Sequence, residues 1–141
     1  TTIKKAGSKD EFMKIDHDLP LEISRIAQEE GCFTMILISS MGANSKSNIF
    51  YSRVKGLLEE SLEEIGFEEF HILRPSLLLG KRTEIRPFEY ISKLIMDHLS
   101  LLIPEKYKPI HASIIAKTIK YLIMEKKSGK HIWEGRKLFN I

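Results

Sequence analysis

The chain has 141 residues, 43% hydrophobic and 29% charged, which suits one globular domain with a sizeable core. With 22 basic against 19 acidic residues the net charge is only +3, which argues against a nucleic-acid surface. A single cysteine, Cys32, excludes an internal disulfide framework, fits a reducing compartment and, beside an apolar run, reads as a buried, inert thiol.

Thr1 to Asp10 is polar and mixed in charge, without a leader pattern, and no apolar run approaches bilayer length. The expectation is therefore a cytoplasmic protein with no membrane association. Phe12 to Glu30 is helical in its second half, with Pro20 in the first turn and Asp18 as cap; a longer, kinked helix is the alternative. Thr34-Met35-Ile36-Leu37-Ile38 is an unbroken apolar run, the mark of a strand buried on both faces of a parallel sheet. Tyr51, Val54, Leu58, Leu62 and Ile65 recur at spacings of three and four, which predicts an amphipathic helix ended by Gly66. Phe70 to Arg74 is a second strand, closed by Pro75.

A further helical stripe runs from Ile91 to Ile103 and stops at Pro104. Another, through Ile115, Ile119, Leu122 and Ile123, ends near Gly129. His131 to Glu134 is a weaker third strand. The alternation of strand and helix predicts α/β architecture, with parallel strands joined by a crossover helix between Thr34 and Pro75. Two or three parallel strands are few for a doubly wound sheet, so a further part of the sheet is expected.

The chemistry-bearing segment is Ser39-Ser40-Met41-Gly42-Ala43, followed by Tyr51-Ser52-Arg53-Val54-Lys55. The serines lie just past the carboxyl end of a strand, where ligands bind in open α/β sheets. Tyr51 and Lys55 are one helical turn apart on one face. A nearby ammonium favours a phenolate, and a serine hydroxyl can hold a substrate oxygen. Tyr51 also belongs to the apolar stripe, so plain core packing competes with this reading.

These residues, together with Leu73-Arg74-Pro75-Ser76-Leu77-Leu78-Leu79-Gly80 and Arg86-Pro87, resemble the short-chain dehydrogenase/reductase family, in particular its Tat-interacting-protein-like oxidoreductases. The resemblance covers nearly the whole chain and begins in mid-domain, after the fourth strand of the family's fold. It implies a Rossmann-like parallel sheet with flanking helices, present as the carboxyl-terminal half of an NAD(P)-binding domain over residues 1–141. It implies Ser40, Tyr51 and Lys55 as catalytic residues, with Ser39 the alternative serine. It places Ser39, Tyr51, Lys55, Pro75, Ser76 and Leu77 against an NAD or NADP cofactor. A helix asparagine of the family falls near Asp16, a departure that puts the family's proton relay in question. No glycine-rich nucleotide loop follows any strand of this chain, so the adenine half is missing.

Other residues read as structural. Lys81, Arg82 and Arg86 suit a solvated loop, and Glu59, Glu60, Glu63, Glu64, Glu68 and Glu69 a solvated acidic surface. Lys126, Lys127 and Lys130 suit a helix end. His17 lacks a second histidine at ligand spacing, so no metal is expected. His71 and His98 suit packing, and Trp133 core or edge packing. The apolar faces of residues 18–30 and 49–65 either cover the sheet or form a homodimer interface. The sequence thus leads to an NAD(P)-dependent oxidoreductase acting on a small carbonyl or alcohol. A non-catalytic NAD(P)-binding regulatory or protein-interaction module is the alternative, and an isomerase or epimerase the weaker third.

Overall fold

The computed structural model describes residues 3–76, 78–79 and 109–138 of the chain. The expected helix at 91–103 with its His98, the basic cluster Lys81, Arg82 and Arg86, and Leu77 lie outside the described residues.

After a single turn at Ile3–Ala6 (α1), the first long element is continuous. Ser8 caps α2 (Lys9–Met13) by accepting the Glu11 N–H at 3.0 Å. The chain then widens into a π-helical turn, Lys14–Asp18, and continues as α3, Leu19–Glu29. Pro20 accounts for the widening, because it lacks an N–H and its ring crowds the carbonyl four residues back. The N–H of Leu19 accordingly reaches back five residues to the Lys14 carbonyl. Asp18 is itself helical (φ −66°, ψ −47°) and makes no side-chain cap, so the kinked-helix alternative holds and the cap does not.

β1 (Thr34–Ile38), β2 (Glu69–Arg74) and β5 (Gly129–Glu134) form a parallel sheet in the order β1-β2-β5. Thr34 pairs with Glu69 and Ile38 with Leu73; Glu69 pairs with Gly129 and Arg74 with Glu134. α4 (Phe50–Ile65) crosses from β1 to β2 and ends at Gly66, which takes the left-handed conformation (φ 81°) that the sequence requires there. A two-residue parallel pair, β3 (Leu78–Leu79) with β4 (Ile110–His111), precedes α5 (Ala112–Glu125). A short 3-10 turn, Gly135–Leu138, follows β5.

Alternation along β2 serves two cores. Phe70 and Ile72 pack with Leu58 and Leu62 of α4, joined by Leu21, Met35 and Leu37. Leu73 packs with Ile115 and Leu122 of α5 and with Ile110 and Leu138, joined by Ile36 and Trp133. Helices on both faces of parallel strands are the α/β arrangement expected from the alternating pattern.

β1 is less covered than expected. Ile38 is 46% exposed, because β1 is an edge of the described sheet and has no strand on its outer side. Cys32 is exposed rather than buried, since it lies in the turn after Gly31, ahead of the sheet. The apolar face of α4 covers the sheet through Leu58 and Leu62. The helix before β1 instead leaves Ile15, Leu19, Ile23 and Ile26 exposed, so only that face remains for the dimer expectation. No helix among the described residues is long and apolar enough to cross a membrane.

Candidate functional site at the carboxyl end of the sheet

The strand ends and the start of α4 are tied together by backbone contacts. The Ser39 N–H donates to the Leu73 carbonyl at 2.8 Å, continuing the ladder one residue past β1. The Met41 N–H donates to the Pro75 carbonyl at 2.9 Å, so the serine loop is pinned to the loop after β2. Gly42 adopts φ 78°, which turns the chain, and the Asn44 N–H reaches the Ser52 carbonyl on α4 at 3.0 Å. Gly56 lets this loop lie directly on the helix. A β-carbon there would sit 2.1 Å from Ser45 N and 2.2 Å from Asn44 C.

The two serines differ. Ser39 is buried and its hydroxyl donates to Glu59 Oε1 at 2.5 Å. The same carboxylate takes Arg74 in a fork, Nε at 3.1 Å and Nη2 at 2.5 Å, and Arg74 Nη1 stands 3.6 Å from Glu134. Glu59 is 4% exposed, which corrects its assignment to a solvated acidic surface. Its partners explain this: Ser39 and Arg74 close over the carboxylate, on the helix face where Tyr51, Lys55 and Glu59 follow one another as i, i+4 neighbours. Ser39 is therefore engaged within the protein. Ser40 is not: its Oγ is buried and has no hydrogen-bond partner among the described residues.

Lys55 also differs from expectation. Its ammonium makes a hydrogen-bonded ion pair with Asp16 Oδ1 at 2.7 Å, with the two side chains 13% and 7% exposed. Burial by itself raises the Asp16 pKa, but its cationic partners, Lys55 foremost, outweigh this and hold the carboxyl below the ordinary aspartate value. Lys55 Nζ is 5.9 Å from the centre of the Tyr51 ring, within cation–π range. Its charge thus faces the tyrosine but is compensated by Asp16, the residue at the expected asparagine place. Tyr51 packs its ring against Phe12, 5.9 Å between centroids, and is 39% exposed. Pro75 is buried with its carbonyl engaged by the loop, and Ser76 follows it.

The structure therefore brings Tyr51, Lys55 and Asp16 together, holds Ser39 in the Glu59–Arg74 network, and leaves Ser40 with an unmet hydrogen bond. Sequence reasoning missed the roles of Glu59 and Arg74. The available signal was the position of Glu59, four residues after Lys55 on the helix face that carries Tyr51.

Fold and site define an α/β module with a small parallel sheet whose polar side chains gather at the strand carboxyl ends. The chain matches no known protein-family profile. It is similar to proteins named "Protein FMP52, mitochondrial". The Emericella nidulans protein is 46% identical over 99 residues, covering 70% of this chain and 42% of that protein. The Candida albicans protein is 44% identical over 84 residues, covering 60% of this chain and 37% of its own. The Saccharomyces cerevisiae protein is 45% identical over 83 residues, with 59% and 36% covered. The match thus spans about two-fifths of these relatives' length.

These names correct three expectations. The relatives are FMP52 proteins, not short-chain dehydrogenases/reductases or Tat-interacting-protein-like oxidoreductases. Nothing in their names supports hydride transfer to a carbonyl or alcohol, and the oxidoreductase reading is withdrawn. They are named mitochondrial, which overturns the cytoplasmic expectation; the polar residues Thr1 to Asp10 carried no compartment information.

Proposed function

We propose that the chain is the carboxyl-terminal part of a Rossmann-like, dinucleotide-binding module of a mitochondrial protein, acting as a binding or regulatory unit rather than a catalyst. The observation that carries this is the buried Ser40 Oγ, which has no hydrogen-bond partner among the described residues and lies just past a parallel strand's carboxyl end. A buried hydroxyl without a hydrogen bond costs about 1–3 kcal/mol, so a ligand that satisfies it recovers that cost. The residues fit the nicotinamide end of NAD or NADP, which presents ribose hydroxyls and a carboxamide when bound. Ser40, the exposed side of Tyr51, Lys55, Pro75 and Ser76 are the proposed contacts. The open edge of β1 suits further parallel strands of such a sheet.

Calorimetric titration of NADH and NADPH into the purified chain and into the full-length Saccharomyces cerevisiae relative tests this. Binding is expected in at least one of them. Where the chain binds, Ser40→Ala is expected to weaken it about tenfold, the equivalent of one lost hydrogen bond of about 1.4 kcal/mol. Absence of binding by both proteins discards the cofactor assignment. The compartment is checked separately, by organelle fractionation with an antibody to this chain. The antigen is expected to sediment with mitochondria, and its recovery in the cytosolic supernatant contradicts the reading.

A further inference from the structure

His71 lies on the opposite face of the sheet from α4, in the middle of β2, and is fully buried. Its Nδ1 accepts the indole N–H of Trp133 at 3.3 Å. An indole nitrogen only donates, so Nδ1 is the bare nitrogen of the neutral ring and Nε2 carries the proton. Nε2 has no hydrogen-bond partner among the described residues. The ring stacks on its register neighbour His131, with centroids 5.4 Å apart and planes at 21°. His131 Nε2 is itself held by the Ser128 carbonyl at 2.9 Å. Lys127 Nζ stands 5.8 Å from the Trp133 ring.

Among the described residues, the charged groups around His71 lie on β2, on β5 and in the turn before β5. On β2, Glu69 is two residues away and favours a cationic ring; from β5 and the turn before it, His131 and Lys127 oppose one. β1 offers Ile36 as register neighbour, and the buried residues of α5 are Ile115, Thr118 and Leu122, none of them ionisable. Burial pushes the imidazole below the ordinary histidine value; His131 pushes it further, and Lys127 adds to this against Glu69.

We infer that His71 is an acid-sensitive latch between β2 and β5, whose protonation frees Trp133 and loosens the β5 edge of the sheet. The second proton must go to Nδ1, the atom that faces the Trp133 N–H. Two donors then face each other, and a buried cation lies against His131. Among the described residues β5 is an outer strand in the order β1-β2-β5, so it can part from β2 without disturbing β1-β2 pairing. The folded form prefers the neutral ring, so any opened form binds the proton more readily. The latch is therefore fully closed above about pH 6.5, the ordinary histidine value, and weakens as pH falls below it toward the folded value.

Trp133 is the single tryptophan of the chain, so its emission reports on the latch directly. Between pH 8 and pH 5 the emission is expected to change along a one-proton curve with its midpoint below about 6.5. Far-UV circular dichroism is expected to be largely retained at that midpoint. His71→Phe removes the transition, whereas His131→Gln keeps it and moves the midpoint upward by removing an opposing neighbour. The carbon-bound ring protons of His71, followed by NMR in the unchanged chain, give the same midpoint without any substitution. A flat emission profile, a transition that survives His71→Phe, or His71 ring signals that do not titrate in this range overturns the inference.

Discussion

Gly56→Ala is expected to destabilise the chain by about 3 kcal/mol, near the upper end of the usual cost of overpacking. The added methyl would meet backbone, not a flexible side chain: Ser45 N at 2.1 Å and Asn44 Cα at 2.6 Å. Real β-carbons do not approach backbone so closely, so either the helix or the loop must move. The loop is the softer partner, and it carries Ser40 and the Met41–Pro75 bond. A urea titration checks this: the midpoint is expected to fall while the slope stays constant. Retention of the wild-type midpoint would mean that the loop does not rest on α4 at this point.

Glu59→Ala is expected to cost about 3 kcal/mol by a different route, since removing one partner of a buried pair leaves the other charge uncompensated. Arg74 would lose both arms of its fork, and Ser39 its acceptor. Glu134, 3.6 Å from Arg74 and 37% exposed, is too distant and too solvated to replace them. The double replacement Glu59→Leu with Arg74→Met is expected to recover much of the loss, because an apolar pair of similar size avoids burying an unpaired charge. Equilibrium denaturation of the two single variants and the double variant measures the coupling. Additive losses would show that the fork contributes nothing of its own.

β1 and β2 were legible because their signal is local, whereas the two-residue strands β3 and β4 are too short to show a pattern. Thr34–Ile38 and Phe70–Arg74 are short apolar runs bounded by polar turns, and β2 in the structure begins only one residue earlier, at Glu69. Gly66 was legible as a helix stop for a single-residue reason, its tolerance of positive φ. The first long helix was only half visible. A π turn holds more residues than an α turn, so the apolar positions before Lys14 and after Asp18 do not share one 3.6-residue phase. Asp16 sits inside that phase break, which is why its pairing with Lys55, 39 residues away in sequence, could not be read from spacing.

Glu59 illustrates another limit. Six glutamates between 59 and 69 look alike in composition; helix phase puts Glu59 on the face of Tyr51 and Lys55, but only the direction of α4 over the sheet shows that it meets Arg74. Compartment and activity were not legible in physical terms. Tyr51 and Lys55 at i, i+4 fix a geometry, but the neutralising carboxylate of Asp16 is a tertiary fact that changes what the geometry can do.

The exposed rim of β1 has a consequence for how the polypeptide behaves in solution. Thr34–Ile38 contains no charge and no proline, the two devices that most often keep an outer strand from recruiting another chain. Its outward-facing amides and carbonyls, with Phe33 and Ile38 exposed beside them, form a template for cross-β growth among identical copies. The strand that pairs with β2 along one edge is therefore also, among the described residues, a segment through which the bare chain can aggregate.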